Sequence, residues 1–307
     1  MRDKYGRRVT SLRLSVTTKC DQECFYCHHE GQVSSQREMM VTDIHRLLGI
    51  AHAAGVRKIK ITGGEPLLRK DIIEVISMAS EVFDEVSMTT NGVLLASCAS
   101  DLRAAGLSRI NVSLDTLDKV LYEKITGTDD VRSVIRGVDE ALRVGLTPLK
   151  INTVVLGGLN DSHLPHLLDF AASRKAILQL IELNPMNGNG GNELRRFFCP
   201  LAYIENSFAA RAVRVERNEL HDRKRYVLPF NGSTVRVEFV RSLGRGSFCM
   251  NCTRIRVTSD GMLKPCLMTQ EGMIDFLSPL RAGASDSHLL ALFETAIRNR
   301  KPYWVVQ

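Results

Sequence analysis

Residues 12–27 carry the pattern on which the fold prediction depends: Leu-Arg-Leu-Ser-Val-Thr-Thr-Lys-Cys-Asp-Gln-Glu-Cys-Phe-Tyr-Cys. The first six residues alternate apolar and polar side chains, which is the pattern of a β-strand with one buried face. Three cysteines follow directly, at Cys20, Cys24 and Cys27. Barrel-type α/β folds place their functional groups on such loops, after the carboxyl ends of strands. We therefore expect an α/β protein with a site at the end of this strand.

The strand pattern recurs along the first two thirds of the chain, and helical patterns separate one strand from the next. The predicted strands are Leu12–Thr17, Lys58–Thr62, Val86–Thr90, Arg109–Leu114, Leu149–Leu156 and Ile177–Leu183. The predicted helices are Val41–Ala54, Asp71–Ser80, Leu94–Ala105, Val131–Val144 and His163–Ala172. Six βα units in a row predict a parallel sheet that curls into a partial, TIM-like (β/α)6 barrel.

The pattern changes after about residue 211. Short strand-like runs follow at Val213–Glu216, Tyr226–Leu228 and Thr234–Val240, and the last two are joined by the hairpin signal Asn231-Gly232. A further helix is predicted near Ser287–Asn299. We expect two domains, a barrel over residues 1–210 and a smaller α+β unit over residues 211–307.

Several predicted strands carry polar side chains at alternate positions. These residues are Arg13, Ser15 and Thr17; Lys60 and Thr62; Ser87 and Thr89; Asn111, Ser113 and Asp115; and Lys150 and Asn152. Side chains two apart on a strand share a face, so these residues could line one polar, partly cationic interior. The alternative is that each strand shows this face to water, although strands flanked by helices rarely have a solvated face.

Composition narrows the class of protein. The 307 residues carry a formal net charge of +7, which suggests an anionic partner: nucleic acid, a nucleotide or an anionic membrane surface. No run approaches the ~20 apolar residues of a membrane span, and residues 1–8 do not lead into a secretory signal. We expect a cytoplasmic protein. Clustered cysteines in that compartment indicate a metal site or catalysis, because disulfides are rare there.

Six of the eight cysteines fall into two groups. The first group, Cys20, Cys24 and Cys27, can bind three irons of a 4Fe–4S cluster and leave the fourth iron open. The second group, Cys249, Cys252 and Cys266, makes a second such cluster plausible. A zinc ion completed by a further residue is the alternative at either group. Two arginines, Arg254 and Arg256, stand two apart on an apparent strand, so both can point at one anion, especially a phosphate.

The first cysteine group, with Tyr26 before its last cysteine, resembles the signature of the radical S-adenosylmethionine superfamily. The segment Thr62-Gly63-Gly64-Glu65-Pro66-Leu67, at the end of the second strand, resembles that superfamily's glycine-rich motif. The resemblance implies that S-adenosylmethionine binds the open iron and is split by an electron from the reduced cluster. The resulting 5′-deoxyadenosyl radical then takes a hydrogen from the substrate.

The order of motifs between Tyr5 and Leu267 resembles the GTP 3′,8-cyclase family of molybdenum cofactor biosynthesis. The resemblance implies that each cysteine group holds a 4Fe–4S cluster. It also implies S-adenosylmethionine contacts at Tyr26, Gly64 and Ser113, and GTP contacts at Arg13, Lys60, Thr89, Lys150, Arg254, Ile255 and Arg256. No catalytic residue is assigned.

The implied reaction of this lyase family joins the ribose 3′ carbon of GTP to carbon 8 of its guanine. Guanine would meet the open iron of the second cluster, while cationic side chains hold the triphosphate. The product, (8S)-3′,8-cyclo-7,8-dihydroguanosine 5′-triphosphate, passes to a pyranopterin-forming enzyme. Besides GTP and the pyranopterin-forming enzyme, we expect an electron donor of flavodoxin or ferredoxin type as a partner. A homodimer is left open, and no membrane or nucleic acid partner is expected.

Two features depart from the family pattern. Members often end in Gly-Gly, whereas this chain ends Pro302-Tyr303-Trp304-Val305-Val306-Gln307. Either Asn184 or Met186 takes the place of a methionine that would contact the adenine.

Two other functions stay open. One is a peptide-modifying radical enzyme with an auxiliary cluster, which usually carries more C-terminal cysteines and lacks the basic strand residues. The other is a zinc-stabilised nucleic-acid-binding protein, which explains neither the Gly-Gly-Glu-Pro strand end nor the polar strand faces.

Overall fold

The computed structural model describes residues 1–32, 35, 37–184, 191–218, 223–241 and 246–302. The helices are α1 Val41–Ala53, α2 Ile72–Val82, α3 Leu95–Ala104, α4 Lys119–Thr126, α5 Val131–Arg143, α6 Leu164–Ser173, α7 Gly191–Arg195, α8 Leu201–Arg211, α9 Gly246–Met250, α10 Leu277–Arg281 and α11 Asp286–Arg298. The strands are β1 Ser11–Ser15, β2 Lys58–Thr62, β3 Glu85–Thr90, β4 Arg109–Ser113, β5 Leu149–Val155, β6 Ile177–Glu182, β7 Arg214–Asn218, β8 Arg223–Phe230, β9 Ser233–Val240, β10 Arg254–Val257, β11 Met262–Lys264 and β12 Ile274–Asp275.

These strands form one sheet, which over the described residues has the order β12-β11-β10-β1-β2-β3-β4-β5-β6-β9-β8-β7. Strands β1 to β6 are neighbours in chain order and pair in parallel. Their bounds, and those of the five predicted helices between them, agree with the sequence-based expectation to within two residues. The predicted partial (β/α)6 barrel is confirmed.

The two faces of the barrel strands differ in the way the alternating pattern predicts. In β2, Ile59 and Ile61 are buried in the core, while Lys60 faces the interior of the barrel. On the outside, helix α5 buries Val131, Val134 and Val138, which recur at helical spacing along one stripe. The apolar faces are therefore used between sheet and helices, which leaves the polar faces for the barrel interior.

Helix α4 is absent from the sequence-based prediction. Its N-terminus is capped by Asp118, whose side chain accepts a hydrogen bond from the N–H of Leu121 at 2.7 Å. Gly127 ends the helix in the left-handed region, with φ of 77°. The Asp118 side chain satisfies a free N–H at one end of the helix, and Gly127 ends it without strain at the other. Together they stabilise this short helix.

The strands after residue 211 extend the barrel sheet at both of its edges. Strand β9 pairs in parallel with β6, and β10 pairs in parallel with β1. The predicted hairpin is confirmed between β8 and β9, where Asn231 and Gly232 have φ of 45° and 75°. The domain boundary at residues 210/211 stays a prediction. Over the described residues, every helix is too short or too polar to cross a membrane.

Candidate active site

The first cysteine loop, residues 20–27, is held by the end of β2. The N–H of Gly64 donates to the carbonyl of Thr17 at 2.8 Å, and the N–H of Glu65 donates to that of Lys19 at 2.7 Å. A Cβ on Gly64 would lie 2.1 Å from the Lys19 carbonyl oxygen. The close approach that glycine permits here is between two backbone segments. The glycine-rich motif therefore fixes the residues that lead into Cys20.

Helix α4 supports the other side of this loop. The N–H of Glu23 donates to the carbonyl of Thr126 at 2.8 Å, and the N–H of Phe25 donates to that of Ile125 at 3.3 Å. The last carbonyls of a helix have no partner within the helix, so they are available to a neighbouring segment. The loop is thus fixed by backbone hydrogen bonds on two sides.

Glu65 of the glycine-rich motif ties the end of β2 to the end of β3. Its buried carboxylate accepts hydrogen bonds from Thr90 Oγ1 at 2.7 Å, the N–H of Asn91 at 2.7 Å and the N–H of Leu67 at 2.9 Å. Burial raises the pKa of Glu65 to about 7, against the hydrogen bonds that lower it. The acid is therefore structural: it sets the spacing of two strand ends beside the cysteine loop.

Burial favours the neutral form of the thiols in the first group. Burial raises the pKa of Cys20 to about 11 and also raises the pKa of Cys24 and of Cys27, and nearby acidic groups add to the effect. Only the thiolate is a metal ligand. Iron must therefore displace protons from these side chains when it binds.

The three predicted S-adenosylmethionine contacts lie near the carboxyl ends of β1, β2 and β4. Tyr26 lines the cavity described below, and its hydroxyl donates to Asp115, whose other oxygen accepts from the N–H of Val154 at 2.8 Å. Burial raises the pKa of Tyr26 and raises that of Asp115 to about 6. Gly64 follows β2, and Ser113 is the last residue of β4.

The register of the sheet brings the predicted GTP contacts into two neighbouring rows. Arg256 of β10 pairs with Arg13 of β1, which pairs with Lys60 of β2. Thr89 of β3 and Lys150 of β5 flank Asn111 of β4. These six residues, together with Arg254 and Asn152, line an open cavity of about 1210 Å³. The structure therefore confirms a polar interior for six of the twelve residues of the alternating pattern.

Some residues of the predicted set do not reach this cavity through their side chains. The side chain of Ile255 is buried in the hydrophobic core, so any contact with a ligand would have to come from its backbone. Six polar residues of the alternating pattern do not line the cavity: Ser15, Thr17, Thr62, Ser87 and Asp115, which are buried, and Ser113.

The cavity is strongly cationic. Among the described residues that line it, thirteen are Lys or Arg and four are Glu. The charge of Lys60 is the least compensated, because among the described residues this side chain has no hydrogen-bond or ion-pair partner. Burial lowers the pKa of Lys60 well below its ordinary value, and the surrounding cations, Arg109, Arg13, Lys150 and Arg254, lower it further. Such a site strongly favours an anionic ligand.

Glu30 binds two of the predicted GTP contacts at once. One carboxylate oxygen accepts from Arg13 and from Thr62 Oγ1, and the other accepts from Arg256 Nη1 at 3.0 Å. The two guanidinium groups outweigh the effect of burial and hold the pKa of Glu30 far below its usual range. Glu30 therefore keeps two adjacent arginines side by side despite their like charges.

On the opposite side of the cavity, Glu238 likewise holds neighbouring cations together despite their like charges. This fully buried carboxylate accepts from Lys150 Nζ at 2.5 Å and from Arg225 at 2.6 Å, and Arg223 lies 3.9 Å away. Burial alone would raise the pKa of Glu238, but Lys150 and Arg223 lower it to about 2. Burial lowers the pKa of Lys150 to about 8 in spite of this partner. Burial and the nearby Arg223 thus oppose the charge on Lys150, while Glu238 favours it.

Sequence reasoning missed both acids and the arginines of β8. Arg223 and Arg225 line the cavity from the hairpin strand. Their spacing of two on a strand is the same signal that drew attention to Arg254 and Arg256. Glu30 and Glu238 have no such signal, because each is identified only by the cations that the fold brings to it.

The second cysteine group faces the same cavity as Cys27. Cys249, Cys252 and Cys266 all line it, as do Arg254 and Arg256. Burial would raise the pKa of Cys252, but Arg254, Arg300 and Arg256 together outweigh burial and lower it. The two groups therefore differ in electrostatic setting: acids surround the first and arginines surround the second.

The two departures from the family pattern fall partly outside the described residues. Asn184 lines the cavity, and its Nδ2 donates to Met268 Sδ at 3.2 Å. Met186 and the terminal residues 303–307 lie outside the described ranges. Lys301 and Pro302, which precede that terminus, line the cavity.

The donor chemistry of both groups fits iron–sulfur clusters. Each group offers three thiols, the ligand type that holds such clusters, and leaves one iron without a cysteine. The two cysteines outside these groups, Cys98 and Cys199, are half-buried and pack against the core. In the described ranges, no three His, Cys, Asp or Glu side chains meet in the way a single metal ion requires.

Comparison with known families defines the class of protein. Residues 14–171 match the radical SAM superfamily, and residues 176–306 match the family described as Molybdenum Cofactor Synthesis C. The chain shares its fold with SuiB of Streptococcus suis, solved with the precursor peptide SuiA, at a TM-score of 0.69 and 18% identity. The match covers 93% of this chain and 64% of SuiB, so the chain spans less than two thirds of that protein. Barrel, cysteine loop and matches together define a radical S-adenosylmethionine enzyme.

Curated relatives narrow the class to one family. A protein of Pyrococcus abyssi named "Probable GTP 3′,8-cyclase" is 45% identical over 303 residues, which is 98% of this chain and 99% of that protein. A protein of the same name from Methanocaldococcus jannaschii is 43% identical over 310 residues, all of both chains. The chain belongs to the GTP 3′,8-cyclase family, whose cofactors are S-adenosylmethionine and 4Fe–4S clusters.

Proposed function

We propose that the chain is a GTP 3′,8-cyclase, a lyase that converts GTP into (8S)-3′,8-cyclo-7,8-dihydroguanosine 5′-triphosphate at an early step of molybdenum cofactor biosynthesis. One observation carries the proposal: a single cavity has cysteines of both groups in its wall and a large excess of cationic side chains. The charge calls for a highly anionic substrate, and family membership identifies GTP.

The cofactor assignments follow the two cysteine groups. Cys20, Cys24 and Cys27 would hold the first cluster, with Tyr26, Gly64 and Ser113 at the S-adenosylmethionine beside it. The second cluster would be held by Cys249, Cys252 and Cys266. When bound, these cofactors supply the radical that takes a hydrogen from the ribose and an open iron for the guanine. The chain's own residues bind GTP, orient it and limit access of water.

The cationic side chains that line the cavity are proposed to bind the triphosphate. Arg13 and Arg256, held side by side by Glu30, use only part of their donors on it, and an arginine has five. Lys60 has no partner among the described residues, and a bound triphosphate would offset the burial and the neighbouring cations that lower its pKa, so that Lys60 would bind it as a cation. Lys150 contributes a second lysine. Each charge-assisted contact of this kind is worth ~1.5–3 kcal/mol. Thr89, Arg254 and the backbone of Ile255 complete the proposed GTP site.

Partners and location belong to the proposal as well. An electron donor of flavodoxin or ferredoxin type would reduce the first cluster, and the product would pass to a pyranopterin-forming enzyme. The clustering of six cysteines into two groups supports a reducing compartment, which we take to be the cytoplasm. A homodimer is supported by the exposed valines Val213 and Val215 beside and on the edge strand β7.

The test is release of 5′-deoxyadenosine by anaerobically reconstituted, dithionite-reduced protein, with and without GTP. Release that GTP stimulates, with GTP consumed in step, is the expected result. Slow release that GTP does not change would support the radical chemistry but reject GTP as the substrate. No release would favour the zinc alternative.

Lys60→Gln sharpens this test. We expect GTP affinity to fall about 10–100-fold, because one charge-assisted contact is lost, while the slow release without GTP persists. Lys224→Gln is the matched control, since Lys224 is a strand lysine whose side chain is exposed and does not line the cavity. Equal GTP affinity in the two variants would contradict the placement of the triphosphate.

A further inference from the structure

A buried ionic cluster joins the two ends of the chain. Asp3 Oδ2 accepts from Arg7 Nε at 2.6 Å and from Arg300 Nη1 at 2.9 Å. The three side chains are between 0% and 6% exposed. Asp3 Oδ1 also accepts from the N–H groups of Tyr5 and Arg7, both at 3.0 Å. One aspartate therefore fixes two arginines that are 293 positions apart.

The remaining donors of the two arginines go to the second cysteine loop and to the chain end. Arg7 Nη1 donates to the carbonyl of Cys249 at 2.9 Å, and Arg300 Nη2 donates to that of Cys252 at 2.5 Å. Arg7 also donates to the carbonyls of Pro302 at 2.9 Å and Lys301 at 2.5 Å. The cluster thus holds the backbone of two cysteines whose side chains line the cavity.

Fold stability alone is a weak reason for such a cluster. A buried ion pair is often no more stabilising than apolar residues of the same volume, so its worth lies in fixing geometry. Here the geometry that is fixed belongs to the cavity, because Arg7, Arg300, Lys301 and Pro302 all line it. The N-terminal segment makes two more contacts with the second cysteine loop. The N–H groups of Thr10 and Ser11 donate to the carbonyl of Thr253 at 3.0 and 3.1 Å.

We propose that Asp3, Arg7 and Arg300 are positioning residues that hold the second cysteine loop and residues 301–302 in place at the cavity wall. This inference rests on the proposed function, since it assigns to the N-terminus control over the second cluster and the GTP beside it. The first cysteine loop is held separately, by the glycine-rich motif and α4.

Arg7→Lys tests the proposal without removing charge. A lysine keeps the cation beside Asp3 but lacks the fork that reaches several carbonyls at once. In reconstituted holoprotein, we expect the GTP dissociation constant to rise at least about tenfold and the GTP-induced change in the cluster EPR spectrum to disappear. Release of 5′-deoxyadenosine without GTP should stay within about twofold of wild type, since the first loop is untouched. The control is Arg2→Lys, because the exposed side chain of Arg2, within the part of the chain that the structure describes, donates only to the carbonyl of Gly6.

Asp3→Asn provides a readout that does not depend on GTP. It leaves two buried arginines without their anion, so we expect about half of the iron to be lost while GTP-independent 5′-deoxyadenosine release remains. Wild-type GTP affinity and EPR response in Arg7→Lys would overturn the proposal. So would full iron content in Asp3→Asn, or loss of both clusters together. Failure of the wild-type protein to bind GTP would sink the proposed function instead, and the iron content would still judge the positioning role.

Discussion

Glu238→Gln is the substitution that tests the charge balance of the cavity most directly. Glu238 is fully buried on β9 and faces three cations: Lys150, Arg225 and Arg223. Glutamine keeps the size and a hydrogen-bonding oxygen but removes the charge. The three cations would then be left close together with their shared buried anion gone.

Two considerations give the same magnitude. The pKa of Glu238 is about 2 in the folded protein against an ordinary 4.5, a difference that corresponds to roughly 3 kcal/mol of folding free energy. Breaking a buried ion pair by removing one partner typically costs about 3–5 kcal/mol. Because the folded pKa is the lower one, this stability is present above about pH 4.5 and is lost as the pH falls towards 2. We expect Glu238→Gln to lose about 3–4 kcal/mol at pH 7.

The assay is anaerobic urea unfolding followed by circular dichroism, on wild type and variant prepared identically. Glu216→Gln is the matched control, because Glu216 on β7 binds Arg214 at 2.5 Å and Arg225 at 3.3 Å but is 28% exposed. An ion pair with that exposure is worth less than about 1 kcal/mol. If Glu238→Gln costs no more than Glu216→Gln, the cations of β5 and β8 do not depend on Glu238, and the electrostatic reasoning fails.

Three further results are expected. GTP affinity should fall as the pH rises above about 8, where Lys150 loses its proton in the GTP-free protein; Lys150→Arg should reduce this fall, and a titration of binding against pH checks both. Gly64→Ala should abolish GTP-independent 5′-deoxyadenosine release, because its Cβ would meet the Lys19 carbonyl at 2.1 Å, while Gly49→Ala, with open space at its Cβ, should not. Arg256→Ala should weaken GTP binding about 10–100-fold and leave GTP-independent release intact; unchanged GTP affinity would reject its assignment.

Local periodicity was enough to predict the barrel strands and the residues on their polar faces. Arg13, Lys60 and Lys150 each stand on the polar face of a strand, and the parallel register places Arg13 beside Lys60 and Lys150 beside Asn111. The glycine-rich motif was also recognised, but its physical role was not. The structure shows that Gly64 is needed where two backbone segments meet.

The parts that sequence could not predict are contacts between distant segments. Glu238 lies 88 positions from Lys150, and Asp3 lies 297 from Arg300, so no periodic pattern connects them. Helix α4 is eight residues long, too short for a clear amphipathic pattern. The placement of β10 beside β1 likewise depends on tertiary packing and not on either strand alone.

That placement has a consequence for how the protein is made. β1 leaves the ribosome before the other barrel strands, yet its partner β10 follows roughly 240 residues later. At typical rates of translation, the delay is roughly 12–50 s. Until β10 arrives, one edge of β1 is bare, and a bare strand edge invites pairing with other chains. Arg300, which holds the second cysteine loop, emerges later still, so the second site takes shape only after all six barrel strands have been made.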